Sequence, residues 1–303
     1  MTFTSLRILT GVAAAATAAV LGAAALTGTA LARPAGPAAP TGSTPAAKAA
    51  APPADTATQP VTTTGAGDQP PTFPEFTVKA PNGLLVNKCV PKALRSKTIS
   101  LRTSDGVRLS AMVLGTGKRG VVLSHEQGYN ICSWLALGQT LASRGYHVML
   151  PEYRFHGASA GKSNDHLDRD LTAAVKELTR RGATRIVAGG ASCGGSTSIV
   201  LAPKISGFTG LIVMSSPRVC GDLNALKVVK TIRQPSFFAF SPGDMTFEAE
   251  VRGLHKASGA RDKRLVIARG GVHGTDMLRN SPDASMLRTR LLTFVDDAYR
   301  AAG

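Results

Sequence analysis

A serine between two glycines, placed directly after an apolar run, is the feature that most constrains the fold of this chain. The run Arg185 to Ala188 has the composition of a buried strand, and Gly190-Ala191-Ser192-Cys193-Gly194 follows it. A strand that reverses this tightly into a helix strains the serine backbone and leaves no room for side chains two positions before and after it. The pattern therefore predicts a nucleophile elbow, with the Ser192 hydroxyl lifted clear of a sheet and a helix beginning at Cys193.

Two downstream segments combine a short strand with a loop that carries a titratable side chain. Ser236 to Phe240 is an aromatic strand that runs into a turn ending in Asp244, and Arg264 to Ala268 precedes a glycine-rich loop that contains His273. The order serine, acid, histidine, each at the carboxyl end of a strand, is the order that α/β-hydrolases require of their triad.

Other acids lie near Asp244 in the sequence. They are Glu248, Asp262 and Asp276. Only Asp244 directly follows the strand, so we expect Asp244 to be the acid of the triad.

Two upstream segments extend the likeness. Gly120 to Gly128 (GVVLSHEQG) resembles the oxyanion strand and the His-Gly-x-Gly loop of the α/β-hydrolase superfamily, with Glu126 in place of the first glycine. Gly145 to Ser159 resembles the next strand and its Asp-x-Arg-Gly-His-Gly-x-Ser loop, with Glu152 and Phe155 in the Asp and first Gly positions. From about Ser96 onward the chain is similar to secreted serine esterases and dienelactone-hydrolase-like members of this superfamily.

This resemblance implies a role for each matched residue. Ser192 is the expected nucleophile, His273 the general base that later returns the proton, and Asp244 the group that orients the imidazole. Backbone N–H groups of Cys193 and Gln127 are expected to form the oxyanion hole.

The second oxyanion donor is open at this stage. Because Glu126 departs from the superfamily pattern, its own N–H or that of Gly128 is an alternative to Gln127. Two loop histidines, His125 and His156, are expected to brace the site rather than to react. No ligand spacing supports a metal site, and we expect no metal and no cofactor.

The chain has four cysteines, which in an exported protein suggest two disulfides. We favour Cys89 with Cys132 and Cys193 with Cys220, the second joining the elbow to the end of the strand Leu211 to Met214. The other connectivities and a free Cys193 thiol are alternatives.

The N-terminal region differs in composition from the rest of the chain. Residues 1–32 carry one charge, an apolar run and a terminal Ala30-Leu31-Ala32, which predicts a secretory signal peptide and a secreted protein. An uncleaved membrane anchor is the alternative. Residues 33–75 are rich in Ala, Pro and Thr and predict a disordered linker, whereas residues 76–303 have the length of one domain.

Alternating strands and amphipathic helices predict an α/β protein with the α/β-hydrolase fold, a mostly parallel central sheet and helices on both faces. A hairpin is expected over Lys97 to Leu114, turning at Thr103 to Gly106. The predicted helices are Trp134 to Arg144, Asp165 to Arg181, Gly194 to Leu201, Phe247 to Ser258 and Ser285 to Ala301.

About twenty residues separate Met214 from Ser236, which is enough for one short helix but for no sizeable lid domain. An open site is therefore expected.

The formal net charge of +16 predicts a strongly basic surface. Aromatic residues are sparse and the basic residues are scattered, so we expect no specific nucleic-acid partner but allow non-specific attraction to an anionic cell envelope. The expected partner is a small-molecule or lipid ester. The sequence leaves the oligomeric state open.

Three functions fit these observations. The leading hypothesis is a secreted serine hydrolase that cleaves carboxylic esters through an acyl-enzyme intermediate. A cell-envelope acyltransferase would use the same triad but resolve the acyl-enzyme with a sugar or lipid hydroxyl. A non-catalytic binding module on a hydrolase scaffold is the third, and the presence of all three triad residue types argues against it.

Overall fold

The computed structural model describes residues 76–302, so the expected signal peptide and most of the expected linker lie outside the described residues. The strands are β1 (Thr77–Lys79), β2 (Leu85–Asn87), β3 (Thr98–Arg102), β4 (Arg108–Leu114), β5 (Arg119–Ser124), β6 (His147–Pro151), β7 (Arg185–Ala191), β8 (Phe208–Met214), β9 (Val219–Cys220), β10 (Leu223–Asn224), β11 (Ser236–Phe240) and β12 (Lys263–Ile267). The α-helices are α1 (Leu135–Ser143), α2 (Leu167–Arg180), α3 (Cys193–Leu201), α4 (Ala225–Val229), α5 (Phe247–Ala257) and α6 (Ala284–Ala301). None of the helices within this range is long and apolar enough to cross a bilayer.

Eight of the strands form one sheet in the order β12-β11-β8-β7-β5-β6-β4-β3. The pairs β3–β4 and β4–β6 are antiparallel, and every other pair is parallel. The carboxyl ends of β5, β7, β8, β11 and β12 therefore meet at one edge, and the loops that follow them are neighbours.

Consecutive residues of the central strands face opposite sides of the sheet, and each side is covered by helices. Val121 packs in a core with Leu141 of α1 and Phe294 of α6, whereas Val122 packs with Leu171 of α2. Helices α4 and α5 contribute to a third apolar cluster beside the second of these cores. This arrangement explains why the central strands are apolar on both faces.

The predicted helices and the predicted hairpin are all present, with ends that differ by at most two residues. The interval between β8 and β11 contains the short helix α4, as expected, and also the β9–β10 hairpin, which was not predicted. The β1–β2 hairpin was not predicted either. Strands of two or three residues are too short to show an apolar alternation.

Two disulfides join segments that are distant in sequence. Cys89 is bonded to Cys132, with 6.3 Å between the Cα atoms, and Cys193 is bonded to Cys220, with 5.6 Å between them. The first links the segment before β3 to the segment after β5. The second links the first turn of α3 to β9.

Candidate active site

Ser192 lies between β7 and α3, at the turn that the sequence predicts. Its backbone has φ 51° and ψ −127°, a conformation that a residue with a side chain rarely adopts. The flanking glycines are required by close backbone contacts. A Cβ on Gly190 would lie 2.6 Å from the carbonyl oxygen of Ser124, and a Cβ on Gly194 would overlap the same oxygen.

The loops after β11 and β12 bring Asp244 and His273 together. The Nδ1 atom of His273 lies 3.0 Å from each carboxylate oxygen of Asp244. Asp244 is 2% exposed, whereas the His273 side chain is 25% exposed. The ring of Phe247 packs on the imidazole with 4.3 Å between the ring centroids. A buried carboxylate of this kind fixes the orientation and the tautomer of the histidine.

The loop that carries His273 lies against the elbow. A Cβ on Gly274 would be 3.3 Å from the Cβ of Ala191, and these two residues adjoin His273 and Ser192 in the sequence. Phe247, which contacts His273, also lines the cleft that contains Ser192. The structure therefore brings Ser192, His273 and Asp244 to the same edge of the sheet.

The cleft beside Ser192 has a volume of about 560 Å³ and is open to solvent. Its apolar lining residues are Pro217, Val219, Leu226 and Phe247. Arg218 also lines it, and its guanidinium is paired with Glu250 at 2.7 Å, so this part of the wall carries no net charge. The cleft accordingly has the composition of a site for a largely apolar, uncharged group.

The two expected oxyanion donors both adjoin this cleft. Cys193 is the first residue of α3, and the first N–H groups of a helix have no acceptor within the helix. Gln127 lines the cleft beside Ser192 and Cys193. By contrast, the N–H of Gly128 donates to Nε2 of His156 at 3.3 Å, which makes Gly128 a poor second donor. Of the two remaining candidates, Gln127 lines the cleft and Glu126 does not, so Gln127 remains the expected donor.

Glu126, which replaces a glycine of the superfamily pattern, is buried. Its Oε1 atom accepts hydrogen bonds from the backbone N–H of Thr275 at 3.1 Å and from the Thr275 hydroxyl at 2.5 Å. Its Oε2 atom is buried without a hydrogen-bond partner. Burial raises the pKa of this carboxyl above its ordinary value. Charged residues are rarely found in a core, so this placement is not predictable from the residue type.

His125 and His156 occupy the bracing positions that the resemblance implies. In each ring Nδ1 lies within 2.9 Å of a backbone carbonyl oxygen, on Glu126 and on Arg154 respectively. In each ring Nε2 accepts a backbone N–H, from Tyr153 for His125 and from Gly128 for His156. Burial lowers the pKa of His125 to about 3 and also lowers that of His156, so both rings are neutral at pH 7. Both nitrogens of each ring are thus already engaged.

A second buried carboxyl, Glu152, lies behind the site in the loop after β6. Its oxygens accept from Ala158 N–H at 2.8 Å, from Ile131 N–H at 3.4 Å and from the Asn87 amide at 3.4 Å. Burial raises its pKa to about 7. The carboxyl fills the space that a Cβ on Gly157 would need, which explains the glycine.

Within residues 76–302, no group of three His, Cys, Asp or Glu side chains is arranged to hold a metal ion.

No protein-family model matches this sequence, and no curated protein matches it. Solved structures do. The esterase Pf2001 of Pyrococcus furiosus superposes with a TM-score of 0.58 at 20% identity, over 71% of this chain and 98% of that one. An esterase from Thermogutta terrifontis gives 0.55 at 14% identity, over 66% and 98% of the two chains. A monoacylglycerol lipase from Paleococcus ferrophilus gives 0.54 at 16% identity, over 63% and 99%. With its sheet order, its strained elbow and these structural neighbours, the chain has the α/β-hydrolase fold.

Proposed function

We propose that this protein is a serine hydrolase that cleaves carboxylic esters through Ser192, His273 and Asp244. The observation that carries the proposal is the buried Asp244 carboxylate on Nδ1 of His273, in a loop that lies against the strained Ser192 elbow. A histidine that donates Nδ1–H to a carboxylate keeps Nε2 as a proton acceptor. A general base of this kind is what a neutral serine hydroxyl needs in order to attack a carbonyl.

The reaction follows the two-step course of acyl transfer. The Oγ atom of Ser192 attacks the ester carbonyl carbon while its proton moves to Nε2 of His273, and the carbonyl oxygen becomes an oxyanion. The N–H groups of Cys193 and Gln127 stabilise this oxyanion. The intermediate expels the alcohol, which takes the proton from His273, and leaves an acyl group on Ser192. Water then attacks the acyl carbon by the same route and releases the acid.

The cleft supports a small-molecule or lipid ester as the substrate. Its largely apolar wall suits an acyl or alkyl group, and its openness gives water access to the acyl-enzyme. Water access favours hydrolysis over transfer to a second hydroxyl. The esterase and lipase neighbours support the same reaction class.

Export from the cell is part of the proposal. We propose that residues 1–32 are a signal peptide, that residues 33–75 are a linker and that the hydrolase domain spans 76–303. The two disulfides support this, because such bonds persist in oxidising compartments and are rare in the cytosol.

The test is turnover of nitrophenyl esters of graded acyl length by the exported protein and by Ser192→Ala. We expect kcat to fall by several orders of magnitude in the variant, because loss of a serine nucleophile costs up to about 10⁶-fold. Ser198→Ala is the matched control, since its hydroxyl only bonds the Gly194 carbonyl within the same helix. Retained turnover in Ser192→Ala would refute the proposal. Formation of glyceryl esters when glycerol is present would instead indicate an acyltransferase.

A further inference from the structure

The loop that carries His273 is rich in glycine. Gly270, Gly271 and Gly274 surround the histidine with φ values of 115°, 63° and 52°. These conformations are open to glycine but rarely to other residues, and glycine restricts the backbone least. A general base in such a loop needs contacts from elsewhere in the molecule to hold it in position.

Two side chains from the segment after β5 supply such contacts. Glu126 binds both the N–H and the hydroxyl of Thr275, two residues after His273. The hydroxyl of Tyr129 donates to Asp276 at 2.6 Å. The first contact is fully buried, whereas Asp276 is also paired with Arg279 near the surface.

The Glu126–Thr275 contact is the stronger of the two constraints on His273. Thr275 is 0% exposed and Glu126 is 1% exposed, so water cannot replace either hydrogen bond. The segment that presents Glu126 also presents the expected oxyanion donor Gln127, so one side chain ties the donor loop to the loop of the general base.

We propose that Glu126 is a positioning residue for His273, whose buried carboxyl group holds the histidine loop through Thr275. This inference rests on the proposed function. Its Oε1 atom alone makes both hydrogen bonds, and its buried Oε2 atom has no hydrogen-bond partner.

The kinetics of three variants test whether the Glu126–Thr275 contact positions His273. Thr275→Val removes the hydroxyl at constant size, and we expect kcat to fall about ten-fold with KM within about two-fold, since misplacing a reacting group by about 1 Å can cost 10²-fold. Thr275→Ser restores the hydroxyl and should return kcat to near the wild-type value. Tyr129→Phe breaks the outer contact of the same two loops and should lower kcat less than Thr275→Val does. Melting temperatures show whether each variant is folded.

Hydrogen exchange tests the positional part without any ester. The backbone amides of residues 270–275 should exchange faster in Thr275→Val than in the wild type, because the loop then opens more readily. Thr275→Ser should return the exchange rates to near the wild-type values.

The outcomes separate this inference from the proposed function. A wild-type kcat in Thr275→Val, an equal loss in Tyr129→Phe, or unchanged exchange of the histidine-loop amides in Thr275→Val each overturns the positioning role while the esterase stands. A wild-type protein with no turnover that depends on Ser192 overturns the proposed function, and the exchange measurement still decides whether the Glu126–Thr275 contact holds the loop.

Discussion

Backbone strain in this molecule is concentrated at residues beside the proposed chemistry. Among residues 76–302, the side-chain-bearing residues with positive φ are Phe155, His166, Ser192, Ser215 and Met245. Ser192 is the proposed nucleophile, Met245 follows Asp244, and Ser215 follows the strand next to the elbow. Each such conformation costs on the order of 1–3 kcal/mol and persists only where the surroundings fix it. The strain therefore supports the placement of the site at this edge of the sheet.

We predict that Asp244→Asn lowers kcat by about 10⁴-fold, because the amide favours the wrong tautomer of His273 while it leaves the geometry intact. Steady-state kinetics measure the loss, and KM should change little. Asp262→Asn is the matched control, since Asp262 pairs with Arg264 at the surface and lies outside the site. If Asp262→Asn lost as much kcat as Asp244→Asn, the acid would be misassigned.

At the scale of elements, the unit that matters most is β7, the elbow and α3, together with the disulfide that joins α3 to β9. The bond begins at Cys193, whose N–H is an expected oxyanion donor, and ends at Cys220, one residue after the cleft residue Val219. The helix start and one wall of the cleft are thereby held together. We therefore expect the disulfide to act on the site as well as on stability.

We predict that Cys193→Ser with Cys220→Ser lowers kcat about ten-fold and changes KM less, because an oxyanion donor acts chiefly in the transition state. Loss of such a donor costs about 2.7 to 4 kcal/mol, and loosening it should cost less. The control is Cys89→Ser with Cys132→Ser, which should lower the melting temperature and leave kcat nearly unchanged. Equal kcat losses in the two pairs would contradict a specific role for the Cys193 bond.

The sequence predicts long elements better than it predicts the contacts between them. Helices such as α2 repeat apolar residues every three or four positions. The elbow glycines are predictable because the tight turn between strand and helix leaves no room for a side chain. The contact of Glu126 with Thr275 spans 149 positions and depends on how two loops meet, which no local pattern records. The buried Glu152 was unpredictable for the same reason.

At the scale of the whole molecule, Glu152 joins parts of the chain that are distant in sequence. It accepts hydrogen bonds from Asn87 of β2, from Ile131 after β5 and from Ala158 after β6. Its pKa is raised from 4.5 to about 7 in the folded protein. A carboxyl with a raised pKa stabilises the fold below its unfolded pKa, and this contribution is lost as the pH rises through the folded pKa.

We therefore predict that Glu152→Gln gains stability relative to the wild type between pH 4.5 and pH 7, by up to about 3 kcal/mol. Urea unfolding of both proteins across this range measures the difference. Glu177→Gln should be less stable than the wild type above pH 4.5, because Arg180 and Arg181 hold the pKa of Glu177 below its ordinary value and the variant lacks the charged carboxylate. A stability difference for Glu152→Gln that did not change with pH would contradict the assignment.

The most direct test of the central claim is covalent trapping of the nucleophile. The exported protein is treated with a fluorophosphonate, digested without reduction and mapped by mass spectrometry. The account predicts a single modified residue, Ser192, on a peptide joined to Cys220 by its disulfide, and no labelling of Ser192→Ala or of the unfolded protein. Labelling at another residue, or an unmodified Ser192 in a protein that hydrolyses esters, would contradict it.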